Sequence, residues 1–430
     1  MTLTFHTPIR GGRIGAIPSK SVAHRMLICA AFADRPTFLR CHATSEDIDA
    51  TARCLRALGA DITRTESGFH VTPADSPWPV DPILDCGESG STLRFLLPIA
   101  AYLAHGPMGT AHFVRRGRLA QRPLSPLYEE LLRHGARLPR DPHTEPLPVG
   151  GPITAGEYTL AANVSSQFIS GLLMAFPLSY ARCTLSLTGN IESADYIRIT
   201  TSVMDRFGMH VDVSPNERRY SLIPCVYRSP GEISVEGDWS NAAIWLAAGA
   251  VGQHPVTVTG VDIHSPQGDR RIVDVIRQFG ADVTVDGDAV TVSPAPLHGI
   301  SLDASQIPDL VPVIAAVAAR AEGETVITGI ARLRIKESDR VASVTEVLRT
   351  LGADITSDET RIVIRGGRPL HGGTVSSFRD HRLVMCAFVA SLYAEGDISV
   401  TDAQAIAKSY PGFTADIAAL GGTFTEEEDT

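Results

Sequence analysis

Six glycines divide this 430-residue chain at nearly equal intervals, and each closes the same kind of segment. The segments are LRALGADIT (Gly59), LLRHGARLP (Gly135), VMDRFGMHVDV (Gly208), VIRQFGADVTV (Gly280), VLRTLGADIT (Gly352) and IAALGGTFT (Gly421), spaced by 76, 73, 72, 72 and 69 residues. Each reads as a helix that stops at glycine and is followed by a short strand. A glycine there is what a left-handed helix C-cap requires. The alternation after it, as in VTVDGDAVTVSP with Asp286-Gly287 at the turn, predicts a β-hairpin. A period of this length means that one supersecondary unit is used six times.

Each unit also has a matching first half: a strand, a polar loop and then a very apolar helix. The six are SKSVAHRMLICAAFA, GESGSTLRFLLPIAAYL, NVSSQFISGLLMAFPL, GDWSNAAIWLAAGAV, QIPDLVPVIAAVAA and RDHRLVMCAFVASLY. Apolar residues on nearly every face predict helices buried at the centre of a domain. The unit is therefore βαβαββ. The sixth unit ends without its last strand, and LTFHTPIRGG at the N-terminus has the character to supply it. Residues 15–230 are expected to form one domain of three repeats. Residues 1–12 plus 232–430 form a second domain of three, closed by the N-terminal strand. The crossings near Gly11–Gly15 and Ser229–Gly231 would act as hinges.

A chain this long is too large for one ordinary core. Its composition, 44% apolar and 20% charged, is that of a globular protein, and the net charge of -10 argues against a nucleic-acid partner. Seven scattered cysteines without CxxC spacing point to free thiols in a reducing compartment. The N-terminal residues show no apolar leader, and apolar runs such as Ala242–Val251 are too short for a bilayer, so a cytoplasmic protein is expected, with no membrane contact.

Of 38 basic residues only Lys20, Lys336 and Lys408 are lysine. In so arginine-rich a chain, lysine marks positions where a compact ammonium of adjustable pKa is wanted. All three fall in short polar motifs: PSKSVAHR, RIKESDR and AKSYPGF. The polar motifs of each repeat recur in the loop entering a helix, where free N–H groups and the helix dipole favour anions. Three such helices in each domain, with the two domains facing, would enclose a cleft suited to a highly anionic small molecule. PSKSVAHR is not a nucleotide-binding P-loop, because Ile14 and Ser19 replace the two required glycines. Taken singly, the other motifs have ordinary structural readings. GESGSTLR suits phosphate but also a plain turn. Ser165, Ser166 and Gln167 suit helix capping, as does Asp309. Lys336, Glu337 and Arg340 suit a salt-bridged helix face, with Lys336 and Arg340 four residues apart. His381 and His24 suit packing. Their joint occurrence, in register with the repeat, does not have an ordinary reading.

In order and spacing, SKSVAHR, LDCGESGSTLRFL, QRPL, NVSSQF, DYIRIT, IPDLVP, RIKESDR, DHRLVM and AKSYPGF resemble the enolpyruvyl transferase family over essentially the whole chain. Within it they are most similar to members acting on shikimate 3-phosphate. The resemblance implies an α/β fold of two inverse α/β barrel domains, each of three βαβαββ repeats with pseudo-threefold symmetry. It implies enolpyruvyl transfer from phosphoenolpyruvate to the 5-hydroxyl of shikimate 3-phosphate in a cleft that closes between the domains, with no metal and no redox cofactor. Carried over, Lys20 touches both substrates. Ser21, Arg25, Ser165, Ser166, Ser193, Tyr196 and Lys336 hold shikimate 3-phosphate, and Gln167 lies between the ligands. Gly90, Arg122, Arg340, Arg382 and Lys408 hold phosphoenolpyruvate. Asp309 accepts the hydroxyl proton, and Glu337 and Lys20 serve proton transfer at the methylene carbon. Gly90 would also admit glyphosate in place of phosphoenolpyruvate. A monomer is expected, since the repeated chain builds its own cleft.

The sequence departs from the family pattern at Glu88, Phe95 and Arg332, where asparagine, proline and asparagine are familiar. The branch acting on UDP-N-acetylglucosamine shares the fold but carries a reactive cysteine before its arginine-proline motif. Here RRGRLAQRPL has none, and Ser21 rather than asparagine follows the lysine. A non-catalytic phosphate-binding scaffold would explain the repeats but not Asp309, Glu337 and three lysines in register.

Overall fold

The computed structural model describes residues 1–73, 79–104 and 109–428. The chain divides into two compact units, Pro18–Val235 and Met1–Ile17 with Glu236–Thr430. Each has its own apolar core.

The six repeat glycines all have positive φ: 101° at Gly59, 99° at Gly135, 69° at Gly208, 101° at Gly280, 93° at Gly352 and 82° at Gly421. At each, the glycine N–H bonds the carbonyl three residues back, and the next N–H reaches the carbonyl five back, as Gly59 to Arg56 and Ala60 to Leu55. This is the Schellman closure, which satisfies two orphan carbonyls at the helix end. A side chain in this conformation costs about 1–2 kcal/mol, so the glycine spacing records a backbone requirement.

The first helix of each repeat is buried along almost its whole length: Lys20–Ala31, Gly90–Leu103, Ser166–Ala175, Trp239–Val251, Val311–Arg320 and His381–Ser391. The second helices are amphipathic; Glu46–Ala57 carries Glu46, Asp47 and Asp49 in its first turn, complementing the dipole.

Each repeat also contributes a small mixed sheet. In the fifth, Ser301–Asp303 runs parallel to Gly323–Thr328, with Leu302 opposite Ile327. Arg361–Gly366 and then Asp354–Ser357 continue it antiparallel. Among the described residues five such sheets have four strands, and that of Ile83–Asp85, Ala111–Val114 and Leu147–Val149 has three. In the sixth sheet the missing strand is Thr2–Thr7, antiparallel to both Glu395–Thr401 and Thr423–Glu427, with Leu3 opposite Val400 and Glu426.

The strands that lead across the crossings pair with the sheet they are leaving. Gly12–Gly15 precedes helix Lys20–Ala31 yet pairs in parallel with Val256–Thr259. Glu232–Ser234 precedes helix Trp239–Val251 yet pairs in parallel with Thr37–Arg40. The units consequently divide at Ile17 and Val235, a few residues beyond the glycines. No helix among the described residues is long and apolar enough to cross a membrane.

Candidate active site

The site residues fall into two groups, one in each unit. The buried helices of the Pro18–Val235 unit begin at serines: Ser19, Ser89 and Ser165 are the N-caps. Ser89 and Ser165 accept from the N–H groups of Thr92 and Gln167. A neutral cap leaves the positive end of the dipole uncompensated. Lys20 opens the first of these helices, and its Nζ donates to Asp47 over 2.8 Å. Ser21 follows on the same turn and is half-buried.

Arg25 ties three helices together. Its Nε donates to Thr200 at 2.7 Å and its Nη2 to Ser170 and the Tyr196 carbonyl. Its Nη1 donates to the Ser21 carbonyl, and the guanidinium lies 4.7 Å from the centre of the Phe95 ring. Burial lowers its pKa to about 10. Arg25 thus fixes Ser21 and Tyr196 from behind. Ser193, 1% exposed, stands at the N-cap position of helix Ala194–Arg206 with φ of 54° and no capping bond from its side chain.

Gln167 is held at both ends: its Oε1 accepts from Arg94 at 2.7 Å, and its Nε2 donates to Ser91 at 2.9 Å. Ser166, beside it, is buried. Gly90 leaves room for Arg122, since a Cβ there would lie 2.6 Å from Nη1 of that arginine.

In the Met1–Ile17, Glu236–Thr430 unit, aspartates stand at the corresponding helix starts: Asp238 and Asp380 cap, and Asp309 sits in the turn before Val311–Arg320. Asp309 does not cap. The helix starts through a 3-10 turn of Pro308–Leu310, and the carboxylate instead accepts from Lys336 at 3.1 Å and Arg340 at 2.6 Å. Arg340 grips Asp380 with Nε and Nη2, at 2.8 and 3.1 Å. Asp380 is fully buried and also takes the Ser338 hydroxyl. Glu337 accepts from His381 Nδ1 at 3.1 Å.

RIKESDR is not one helical face. Ala331–Ile335 is a 3-10 turn, Lys336 is extended, and the helix begins at Arg340 because Asp339 caps it. Lys336 and Arg340 reach the same carboxylate oxygen through that break rather than through helical spacing.

Burial alone would raise the Asp309 pKa, but Lys336, Arg340 and Arg382 outweigh it and hold the carboxyl well below the usual range. For Glu337 burial is likewise outweighed, by His381, Arg340 and Lys408. Burial pulls Lys336 down to about 8, against the pull of Asp309, with Arg332 and Arg340 adding to the lowering. Arg382 is 5% exposed; its Nη1 donates to the Ser240 carbonyl at 3.0 Å, while its buried Nε has no hydrogen-bond partner. Lys408 donates to the Arg379 carbonyl and lies close enough to lower the Glu337 pKa. The result is an ionised Asp309, a Lys336 ammonium whose pKa is lowered to about 8, and three further cations around one carboxylate network. Glu337, Asp380 and His381 bring ligand atoms within 4.8 Å of one another, but Arg340, Ser338 and His381 itself already compensate these carboxylates.

Sequence reasoning passed over Asp380, Asp47 and Arg94 and set His381 aside as packing. Asp380 had a signal, an aspartate one residue before an apolar helix. Arg94 lies one turn after Gly90 on the same helix. Asp47 had none, since an acidic first turn is ordinary.

The family model described as EPSP synthase (3-phosphoshikimate 1-carboxyvinyltransferase) matches residues 7–417. The 3-phosphoshikimate 1-carboxyvinyltransferase of Clostridium kluyveri is 36% identical over 415 residues, covering 96% of each chain. That of Methanocorpusculum labreanum is 36% identical over 418 residues, covering 97% of each. Among solved structures, EPSP synthase from Acinetobacter baumannii has a TM-score of 0.82 at 24% identity, covering 99% of this chain and 100% of that one. The enolpyruvyl transferase NikO from Streptomyces tendae has a TM-score of 0.78 at 18% identity, covering 99% and 98%. At these identities the two structures establish a shared mixed α/β fold. With the family model spanning nearly its whole length, the chain belongs to the EPSP synthase (3-phosphoshikimate 1-carboxyvinyltransferase) family.

Proposed function

We propose that the chain transfers the enolpyruvyl group of phosphoenolpyruvate to the 5-hydroxyl of shikimate 3-phosphate and releases phosphate, a step of aromatic amino-acid biosynthesis. The observation that carries this, beyond family membership, is the convergence of Lys336 and Arg340 on Asp309 with the buried, incompletely bonded Arg382 in the same unit.

Both substrates are anions, and the residues that hold them are cations and helix N-termini. Lys20, Ser21, Arg25, Ser165, Ser166, Ser193, Tyr196 and Lys336 serve shikimate 3-phosphate. Arg25 acts chiefly by holding Ser21 and Tyr196, because four of its five N–H donors are already engaged. Gly90, Arg122, Arg340, Arg382 and Lys408 serve phosphoenolpyruvate, with Gln167 and Lys20 reaching both. Arginine suits planar carboxylate and phosphate through paired donors.

Asp309 is ionised and ready to take the hydroxyl proton, yet its cations make it a weak base at rest. When a substrate anion draws on Arg340, the charge opposing proton uptake falls and Asp309 becomes more basic as the reaction needs it. The methylene carbon is protonated to a methyl group, the 5-hydroxyl oxygen adds to C2 as its own proton leaves, and the tetrahedral adduct then loses phosphate and one proton of that methyl group. Glu337 and Lys20 handle the proton at carbon. His381 keeps Glu337 ionised until substrate changes that balance.

The finer architecture is proposed to be two inverse barrels of three repeats each, and the working form a monomer in the cytoplasm. Glyphosate is proposed to occupy the place of phosphoenolpyruvate beside Gly90.

The test is phosphate release from phosphoenolpyruvate with and without shikimate 3-phosphate, with UDP-N-acetylglucosamine as the parallel acceptor. Release that depends on shikimate 3-phosphate is expected. Release only with the sugar nucleotide, or none with either, would overturn the reading.

A further inference from the structure

Asp269 lies in the short turn Gly268–Arg271, is 3% exposed, and accepts the Ser240 hydroxyl on Oδ2. Ser240 belongs to the first turn of helix Trp239–Val251, and its carbonyl is where Arg382 rests. The turn is itself held firmly. Gln267 donates to Glu236 and to the Gly237 carbonyl, and accepts from the Trp239 N–H.

Among the described residues, Asn241 Oδ1, Asp269 Oδ1 and Arg382 Nε are buried and have no hydrogen-bond partner. Burying such atoms unpaired is costly, so each calls for an explanation.

We propose that Asp269 is a positioning residue for Arg382: by clamping Ser240 it fixes the carbonyl that seats the guanidinium, and its charge sets the field at that anion site. The charged groups facing it are Asp309 from the turn before Val311–Arg320, Arg382 from His381–Ser391 and Asp238 from the cap of Trp239–Val251. On its own turn, Arg270 is directed to the Ser265 carbonyl. Burial and then Asp309 raise the Asp269 pKa to about 7; the Ser240 hydroxyl and Arg382 oppose this, and Asp238 adds to it. The group therefore gains its negative charge within the neutral range. Once ionised, it weakens the site for an anion.

The inference rests on the proposed reaction and is tested with it. For Asp269→Ala, compared with the wild type below about pH 7 where Asp269 is uncharged, the KM for phosphoenolpyruvate is expected to rise by up to about tenfold, the factor carried by a lost hydrogen bond, with the KM for shikimate 3-phosphate unchanged. In the wild type the KM for phosphoenolpyruvate should climb as pH rises through about 7, as Asp269 ionises. In Asp269→Asn, which keeps the acceptor but not the charge, that climb should be missing. A merely structural role would lower thermal stability without changing this pH course. If Asp269→Ala does not fold, Ser240→Ala removes the same clamp while keeping the carbonyl, and the same rise in KM is expected. An unchanged KM in the clamp variants, or a climb in Asp269→Asn equal to that of the wild type, overturns the inference alone. A wild type that releases no phosphate overturns the reaction and the inference together.

Discussion

Arg340 Nη1 lies 2.6 Å from Asp309 Oδ1, the same oxygen that Lys336 reaches at 3.1 Å. One carboxylate oxygen thus balances two cations. Replacing Asp309 by Asn keeps the shape and removes the base. Phosphate release should fall at least about a hundredfold, in the range of a lost general base. Binding of shikimate 3-phosphate, followed by calorimetry, should persist. Full activity in Asp309→Asn would exclude the role.

Lys336 gives the pH dependence a definite sign. Its pKa is about 8 because burial disfavours the ammonium, while Asp309 supports it. As pH rises through that value the positive charge is lost, so the KM for shikimate 3-phosphate should increase above about pH 8. In Asp309→Asn the support is gone and the increase should begin at lower pH. A KM that stays flat to high pH would contradict the assignment.

Gly90 is a matter of space. Its φ is not in the left-handed region, so alanine is acceptable to the backbone, but the new Cβ would lie 2.6 Å from Arg122 Nη1. The arginine end must move. The expected result for Gly90→Ala is a KM for phosphoenolpyruvate raised by about an order of magnitude, from misplacing one positioning group. Thermal stability should be nearly unchanged, because a flexible side chain gives way. An unaltered KM would show that Arg122 does not serve this substrate.

Asp380 and Arg340 form a buried pair whose side chains are 0% and 3% exposed. Asp380→Asn leaves the guanidinium without its charge partner, and unfolding free energy should drop by about 3–5 kcal/mol. Calorimetric melting would measure it.

The same network sets acid stability. Asp309, Glu337 and Asp380 all have folded pKa values below their ordinary ones, burial being outweighed by neighbouring cations. Their contribution is fully present above the unfolded pKa, about 4. It is lost as pH falls through the folded values, because the unfolded chain takes up protons first. A melting temperature that does not decline on acidification below about pH 4 would contradict this.

The periodic features were legible because each follows from backbone geometry. A glycine C-cap is dictated by φ, and all six glycines have the required sign. The apolar helices are buried because no face of VIAAVAA is polar. Candidate residues stood out where a residue type is chemically unusual, as with the three lysines. Their partners did not, because each is an ordinary residue far away in the chain. Asp47 is 27 positions from Lys20, Asp380 is 40 from Arg340, and Gln167 is 73 from Arg94. The spacing of RIKESDR suggested a helix, but a capping aspartate inside the motif broke it. Local pattern reports local structure; pairing across repeats depends on which helix starts are brought together.

The strand pairing at the termini and crossings changes how the order of the polypeptide should be regarded. Thr2–Thr7 lies between strands near the C-terminus, and Gly12–Gly15 completes a sheet begun after residue 250. Drawn as a ring, with its last described strand joined to its first, the chain becomes two uninterrupted blocks, each one of its compact units. A rearranged gene opening at Glu236 would make each block contiguous and leave one passage between them in place of two.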